Sequence, residues 1–237
     1  MSKSSPVILS WSGGKDSALA LHVLRHDPRY QVTGLLTSVN EHYGRISMHG
    51  VRESLLTAQA ESIGLPLHKV RLSAHPSNEE YEQKMCVVLE EFKTHGIQHV
   101  AFGDLFLEDI RQYRVSAMRK LDMECVFPLW LKNTGTLARE FIVQGFKAVL
   151  CCVDGKALDS RYAGREYDEA LLRGLPENVD PCGENGEFHT FVYAGPVFRH
   201  EIVFARGECV LRDNRFYFCD LIPMETKHEH LAANTHG

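Results

Sequence analysis

Val7-Ile8-Leu9-Ser10-Trp11-Ser12-Gly13-Gly14-Lys15-Asp16-Ser17 runs from an apolar strand through a glycine pair into the helical pattern Ala18 to Leu24. A glycine pair between a strand and a helix start makes an anion cradle. The glycines admit close backbone approach, the free N–H groups and helix dipole favour negative charge, and Ser12, Lys15 and Ser17 add donors. A nucleotide phosphate is the guest this pattern predicts. The run lacks the spacing of a Walker A loop and of a dinucleotide-binding Gly-x-Gly-x-x-Gly. The competing reading is a plain Gly-Gly turn with Asp16 or Ser17 as helix cap.

Working outward, the first half alternates strands with helices. A helix ends before Pro28, and the strand Val32–Leu36 leads through a loop to a helix from about Val51 to Ile63. There Gly64 and Pro66 act as stop signals. Next come a strand at Leu67–Leu72 and a helix with Ser77 and Glu80 as a capping box, carrying Tyr81, Met85, Val88 and Phe92 on one face. The strand Ile97–Phe102 ends at Gly103-Asp104, before a helix with Ile110, Tyr113, Ala117 and Leu121 on one side. This alternation predicts an α/β protein with a Rossmann-like parallel sheet, its ligands gathered beyond the carboxyl ends of the strands. The Ser12 loop, Thr37-Ser38 and Gly103-Asp104 all fall at that edge.

The second half reads as a helix near Thr136–Gln144, a strand at Lys147–Val153 and a short helix around Glu166–Arg173. Strands at Phe188–Tyr193, Val197–Ala205 and Phe216–Ile222 follow, with Arg212-Asp213-Asn214-Arg215 as a turn. The expected division is 1–128, an ATP-binding domain, and 129–237, a smaller α+β substrate domain with a polar tail from Glu225.

The 237 residues are 44% apolar and carry a net charge of −5 from 26 basic and 31 acidic side chains. No global positive field draws the chain to nucleic acid. No segment approaches the roughly 20 apolar residues that span a bilayer, and Met1 to Pro6 is too short and polar for a signal peptide. The expectation is a cytoplasmic protein without a membrane partner. Seven cysteines with no Cys-x-x-Cys pair read as reduced thiols, with Cys151 and Cys152 buried.

A second cluster, Cys182-Gly183-Glu184-Asn185-Gly186-Glu187-Phe188-His189-Thr190, sets two acidic side chains between and beside glycines. Strand alternation places Glu187 and His189 on one face. The cluster suits a magnesium ion or an amine; alone, it reads as readily as a glycine-rich loop with solvated carboxylates.

The Ser12–Ser17 run resembles the pyrophosphate loop of N-type ATP pyrophosphatases. Together with Gly183–Thr190 it resembles the diphthine–ammonia ligase family, whose ATP-binding domain amidates diphthine to diphthamide. Gly103 with Gln112-Tyr113-Arg114, and Pro128-Leu129-Trp130, extend the similarity over residues 7 to 223. Met48-His49-Gly50-Val51-Arg52 and Gly103 to Arg111 are similar to the family's bacterial branch. Without paired cysteines, the sulfur transfer of thiolating relatives is disfavoured.

The resemblance implies that a carboxylate attacks the α-phosphorus of ATP, pyrophosphate leaves, and ammonia or another amine opens the acyl-adenylate. Ser12, Gly13, Gly14, Lys15, Asp16 and Ser17 then hold the nucleotide with Ser38, His49 and Gly103, and Gly103 leaves room for it. Asp16 is read as a Mg²⁺ ligand or as the holder of its own loop, and Asp104 as a Mg²⁺ ligand or a turn residue. Arg111, Tyr113, Arg114, Asn185 and His189 are candidates for the carboxylate-bearing acceptor, which is a small molecule or a modified protein side chain. Lys15, Asp16, Glu184 and Glu187 are the catalytic candidates, the two glutamates orienting the amine and taking its proton. Two other readings keep the loop, a tRNA-modifying adenylyltransferase and a nucleotide-sensing regulatory module. A homo-oligomer is compatible with the sequence.

Overall fold

The computed structural model describes residues 4–46 and 50–224. The elements run β1 (Ser5–Ser10), α1 (Lys15–His26), β2 (Tyr30–Asn40), β3 (Arg45–Ile46), α2 (Glu53–Ile63), β4 (Leu67–Leu72), α3 (Asn78–Thr94), β5 (His99–Ala101), α4 (Glu108–Arg119) and β6 (Glu124–Val126). The chain continues through α5 (Thr134–Val143), β7 (Lys147–Asp154), a 3₁₀ turn (Ser160–Tyr162), α6 (Glu169–Gly174), β8 (Phe188–Ala194), β9 (Phe204–Arg212) and β10 (Phe216–Pro223).

Strands β4, β2, β1, β5 and β6 lie side by side and parallel, as the α/β reading requires. The chain steps from β1 through β2 to β4, and α3 then returns it to β5 on the far side of β1. The strand order therefore reverses between β1 and β5, which opens a crevice beyond their carboxyl ends. The short β3 runs antiparallel to Val39 and Asn40 of β2, the same residues that pair with β4. It thus continues the edge that β1 occupies lower down.

Alternation sends Val7, Leu9, Leu35 and Ala101 to one face and Ile8, Leu36, Val100 and Phe102 to the other. The second face lies under Leu89 and Phe92 of α3 and Met118 of α4. The first joins Leu21, Leu55 and Phe141 of the helices and continues into Val149, Leu150 and Phe191 of a second, antiparallel sheet ordered β8-β7-β10-β9. The two sheets share one uninterrupted core.

Several local expectations change. The edge strand β6 is absent from the sequence reading, and the expected strand Val197–Ala205 forms only from Phe204 onward. Backbone groups in that stretch are taken by other partners: Arg199 N–H donates to the Ser62 carbonyl and Ile202 N–H to that of Tyr193. The α4 face is rotated from that expected, since Ile110 and Tyr113 are exposed and Met118 is buried. Ser77 caps α3 by accepting from Glu80 N–H, but the Glu80 carboxylate turns to Ser73 rather than closing the box. Asp213 and Asn214 both take positive φ, as a primed hairpin turn requires, and Arg215 is the extra residue before the ladder resumes at Phe216. All seven cysteines are free, with Cys151 and Cys152 buried.

Candidate active site

The phosphate loop is built by opposing demands on its backbone. Gly13 takes φ +78°, and Gly14 stays extended as the residue preceding α1. Gly14 has no side chain to cap the helix start, and beyond the Lys15 N–H, which Thr190 takes, the leading N–H groups of Asp16 and Ser17 remain for an anion. Ser17 Oγ donates to the Gly14 carbonyl at 2.9 Å and lies 3.2 Å from Ser12 Oγ, which tightens the loop from inside. The plain-cap reading of Ser17 does not hold.

Anchors from distant segments fix the loop from outside. Gln59 of α2, fully buried, accepts from Trp11 Nε1–H at 2.9 Å and donates Nε2–H to the Gly13 carbonyl at 3.0 Å and to that of Val192. Val192 N–H also donates to the Gly13 carbonyl, and Lys15 N–H donates to Thr190 Oγ1 at 3.0 Å. The second sheet is therefore the back wall of the loop. Gly103 closes the other side: an added Cβ would stand 2.9 Å from the Asp16 carbonyl carbon and 3.1 Å from Ser17 N. Its empty space is filled by the loop's own backbone, whereas the sequence reading reserved it for nucleotide.

In front of the loop lies a cleft of about 510 Å³, lined by Ser12, Lys15, Asp16, Ser17, Thr37, Ser38, Gly103, Asp104, Arg114, Glu184, Asn185, His189 and Thr190, among others. The three sequence segments expected at the sheet edge do converge here, joined by the Cys182–Thr190 stretch. Lys15 is only 3% exposed, and its Nζ donates to both Asp16 oxygens at 2.8 and 2.9 Å. Burial works against this ammonium, but the two-point contact with Asp16 outweighs it and holds Lys15 protonated.

Glu184 reaches the same cleft from the second sheet's loop and accepts from Leu105 N–H at 2.9 Å. Burial pushes its carboxyl up to about 7, with Asp16 and Asp104 adding repulsion and the Leu105 N–H and Lys15 partly opposing. His189 is lowered to about 4, first by burial and then by Lys15, so its imidazole is neutral near pH 7. Cys182 is no nucleophile, because burial raises its thiol to about 12.

Other expected site residues lie elsewhere. Glu187 is absent from the cleft lining; it accepts from Asp180 N–H, Asn185 N–H and Asn185 Nδ2–H and ties the 180–187 loop together. Strand β8 begins at Phe188, so alternation with His189 does not extend back to Glu187. Arg111 stacks over Trp130 and Phe127 at 5.0 and 5.5 Å and pairs with Glu108, outside the cleft. Tyr113 is exposed, with its OH donating to Glu82 Oε1 at 3.3 Å. Arg114 does face the cleft, stacked 4.3 Å over Phe102 and paired with Asp104 at 2.6 Å. Asp104 is thus an arginine partner rather than a turn residue. His49 lies outside the described residues.

A Mg²⁺ ion held with substrate phosphates needs one or two carboxylates. Asp16 and Asp104 both face the cleft and supply such hard oxygen donors. Among the described residues no group of three or more His, Cys, Asp or Glu side chains could hold a metal by itself. The sequence reading missed Gln59, Trp11 and Asp180. Gln59 carried a signal, since it interrupts the apolar face formed by Leu55, Leu56, Ala60 and Ile63.

Two family models match the chain, the diphthamide synthase N-terminal domain over residues 5–124 and the diphthamide synthase C-terminal domain over residues 133–220. The diphthine–ammonia ligase of Mus musculus is 27% identical over 229 residues, covering 84% of this chain and 83% of that protein. That of Rattus norvegicus is 26% identical over the same coverage, and that of Homo sapiens 26% identical over 64% of this chain and 62% of its own length. With both models matched in order and the loop and Glu184 segment facing one cleft, the chain belongs to the diphthine–ammonia ligase family.

Proposed function

We propose that the protein is an ATP-dependent ligase that adenylates a carboxylate and passes the acyl group to ammonia or another amine. The observation that carries this reading is the buried Lys15 at an uncapped helix start, faced across one cleft by a carboxyl near neutrality, Glu184. An acceptor carboxylate oxygen bonds to the α-phosphorus as the bond to the β-phosphate bridging oxygen breaks. The Asp16 and Ser17 backbone N–H groups, the Ser12 hydroxyl and the Lys15 ammonium stabilise charge growing on the leaving pyrophosphate. Asp16 and Asp104 would hold a Mg²⁺ ion, which when bound would add neutralisation of the phosphate oxygens.

Ammonia then bonds to the acyl carbon and AMP leaves. The proton lost from nitrogen passes to Glu184, whose carboxyl near 7 suits a base at neutral pH. In this division residues 1–128 hold ATP. Residues 129–237 brace the loop through Thr190 and Val192 and supply Glu184, which faces the reacting end of the acceptor. The relatives' printed activity suggests diphthine as one acceptor to try.

The test is acceptor-dependent release of AMP and pyrophosphate, screened over carboxylic acids with ammonium, with Lys15→Ala as control. The variant should lose the reaction. Appearance of ADP and inorganic phosphate would sink the assignment to the α-phosphate.

A further inference from the structure

The reversal of strand order leaves a second chamber on the far face of the parallel sheet. Helix α3 packs against β4 and α4 against β6, and the two helices meet the middle of that face only through side chains such as Leu89 and Met118. A cavity of about 490 Å³ lies between them. Leu36, Val100 and Phe102 form its floor, with Met85 and Leu89 on one wall and Ala117 on the other. Glu82, Gln83, Tyr113 and Lys120 of its lining are exposed at the outer rim, and Ser10, Tyr81 and Arg114 lie on the side it shares with the cleft.

This chamber adjoins the phosphate cleft. Ser10, Leu36, Tyr81, Met85, Phe102 and Arg114 line both. The cleft is by itself of ligand size, and the chamber adds a comparable volume of different character, thioether, aliphatic and aromatic. Met85 and Met118 give it walls that adapt to the shape of an apolar guest. Arg114 stands at the junction, a cation between an apolar chamber and the cleft that holds Lys15.

We propose that the chamber receives the apolar body of the acceptor, so that the substrate is an amphipathic carboxylic acid whose carboxylate end passes Arg114 to the phosphate loop. This rests on the adenylating reading of the cleft and narrows its acceptor. Tyr81, Met85 and Leu89 span two turns of α3, so the apolar body extends over roughly 12 Å.

The experiment is calorimetric binding of hexanoate, octanoate and decanoate to the full chain, alongside ATP. The dissociation constant should fall roughly fourfold per added methylene, equivalent to ~0.8 kcal/mol each. Ala117→Phe, which fills the chamber, should weaken decanoate at least tenfold and leave ATP affinity unchanged. Leu121→Trp gives the same readout from the other end and decides the matter if the first variant fails to fold. No dependence on chain length, or unchanged decanoate binding in a folded filled variant, would overturn the proposal. So would loss of ATP affinity in a folded filled variant, which would assign the chamber to the nucleotide. Binding needs no turnover, so an acid bound here with ATP never cleaved would sink the ligase reading alone. Acid-dependent pyrophosphate release indifferent to chain length would sink the chamber alone.

Discussion

Replacing Glu184 with Gln should stabilise the protein at neutral and alkaline pH while removing its amide-forming activity. Glu184 titrates at about 7 in the folded chain against an ordinary 4.5, chiefly because it is buried. Between those values the native state holds a proton that the unfolded chain releases, so this residue makes stability fall as pH rises. At about 1.4 kcal/mol per pH unit, an ionised Glu184 costs the fold up to about 3 kcal/mol above pH 7. A glutamine keeps an oxygen for Leu105 N–H and never ionises.

Urea unfolding of both proteins in metal-free buffer from pH 4 to 8.5 measures the effect. The variant minus wild-type difference should start near zero at pH 4.5 and climb to about 3 kcal/mol above pH 7. His189 works in the opposite sense in the wild type. Its imidazole is lowered to about 4, so the unfolded chain binds the extra proton and stability rises from pH 4 to 6.5. The two slopes oppose each other across most of that window, and only the difference between proteins isolates Glu184. In turnover, adenylation should survive and transfer to ammonia should fall on the order of 10²- to 10⁴-fold. A stability difference constant with pH would refute the buried-carboxyl argument.

His189→Asn should give the mirror result, a difference from wild type that falls by about 3 kcal/mol between pH 4 and 6.5 in the same unfolding series. Gly103→Ala puts a methyl group against loop backbone that cannot rotate away. It should cost about 1–3 kcal/mol and weaken ATP binding by calorimetry, and wild-type affinity would show that the tight approach is dispensable. Gln59→Leu strands the Trp11 N–H and the Val192 carbonyl, while the Gly13 carbonyl keeps Val192 N–H. A loss of roughly 2–4 kcal/mol is expected from urea midpoints, and less than about 1 kcal/mol would mean that water replaces the amide.

The parallel half of the fold was readable because strands buried on both faces are short apolar runs bounded by turn residues, and Val7–Leu9 has that form, while Leu67–Leu72 at the edge shows itself by Val70 and Leu72 two apart. Strand β6 has not: Glu124-Cys125-Val126 is three residues led by a charge, too short for any period to show. Strand β9 fails differently. It is an exposed edge, and its place is dictated by the Asp213-Asn214 turn and its partner β10. The apolar pairs Val197-Phe198 and Ile202-Val203 just before it drew the reading away, although Ser62 and Tyr193 capture that backbone.

The site divides along the same physical line. The Ser12–Ser17 cradle is contiguous, so its chemistry is complete within six residues of sequence. Direction is not local. Arg111 and Arg114 are three apart on one helix and share its face, yet aromatic rings from different segments draw one out to Trp130 and the other over Phe102 into the cleft. Glu184 and Glu187 are equally close in sequence. One meets the Leu105 N–H across the cleft and the other turns back on its own loop. The bonds that hold the cradle in shape span still larger separations, from Lys15 to Thr190 and from Gly13 to Val192. A loop whose free N–H groups must stay aimed at a phosphate cannot be held by its own glycines, because these are the residues with the most freedom to lose. The rigidity comes from the second sheet, which is why the phosphate loop and the second half of the chain share one core.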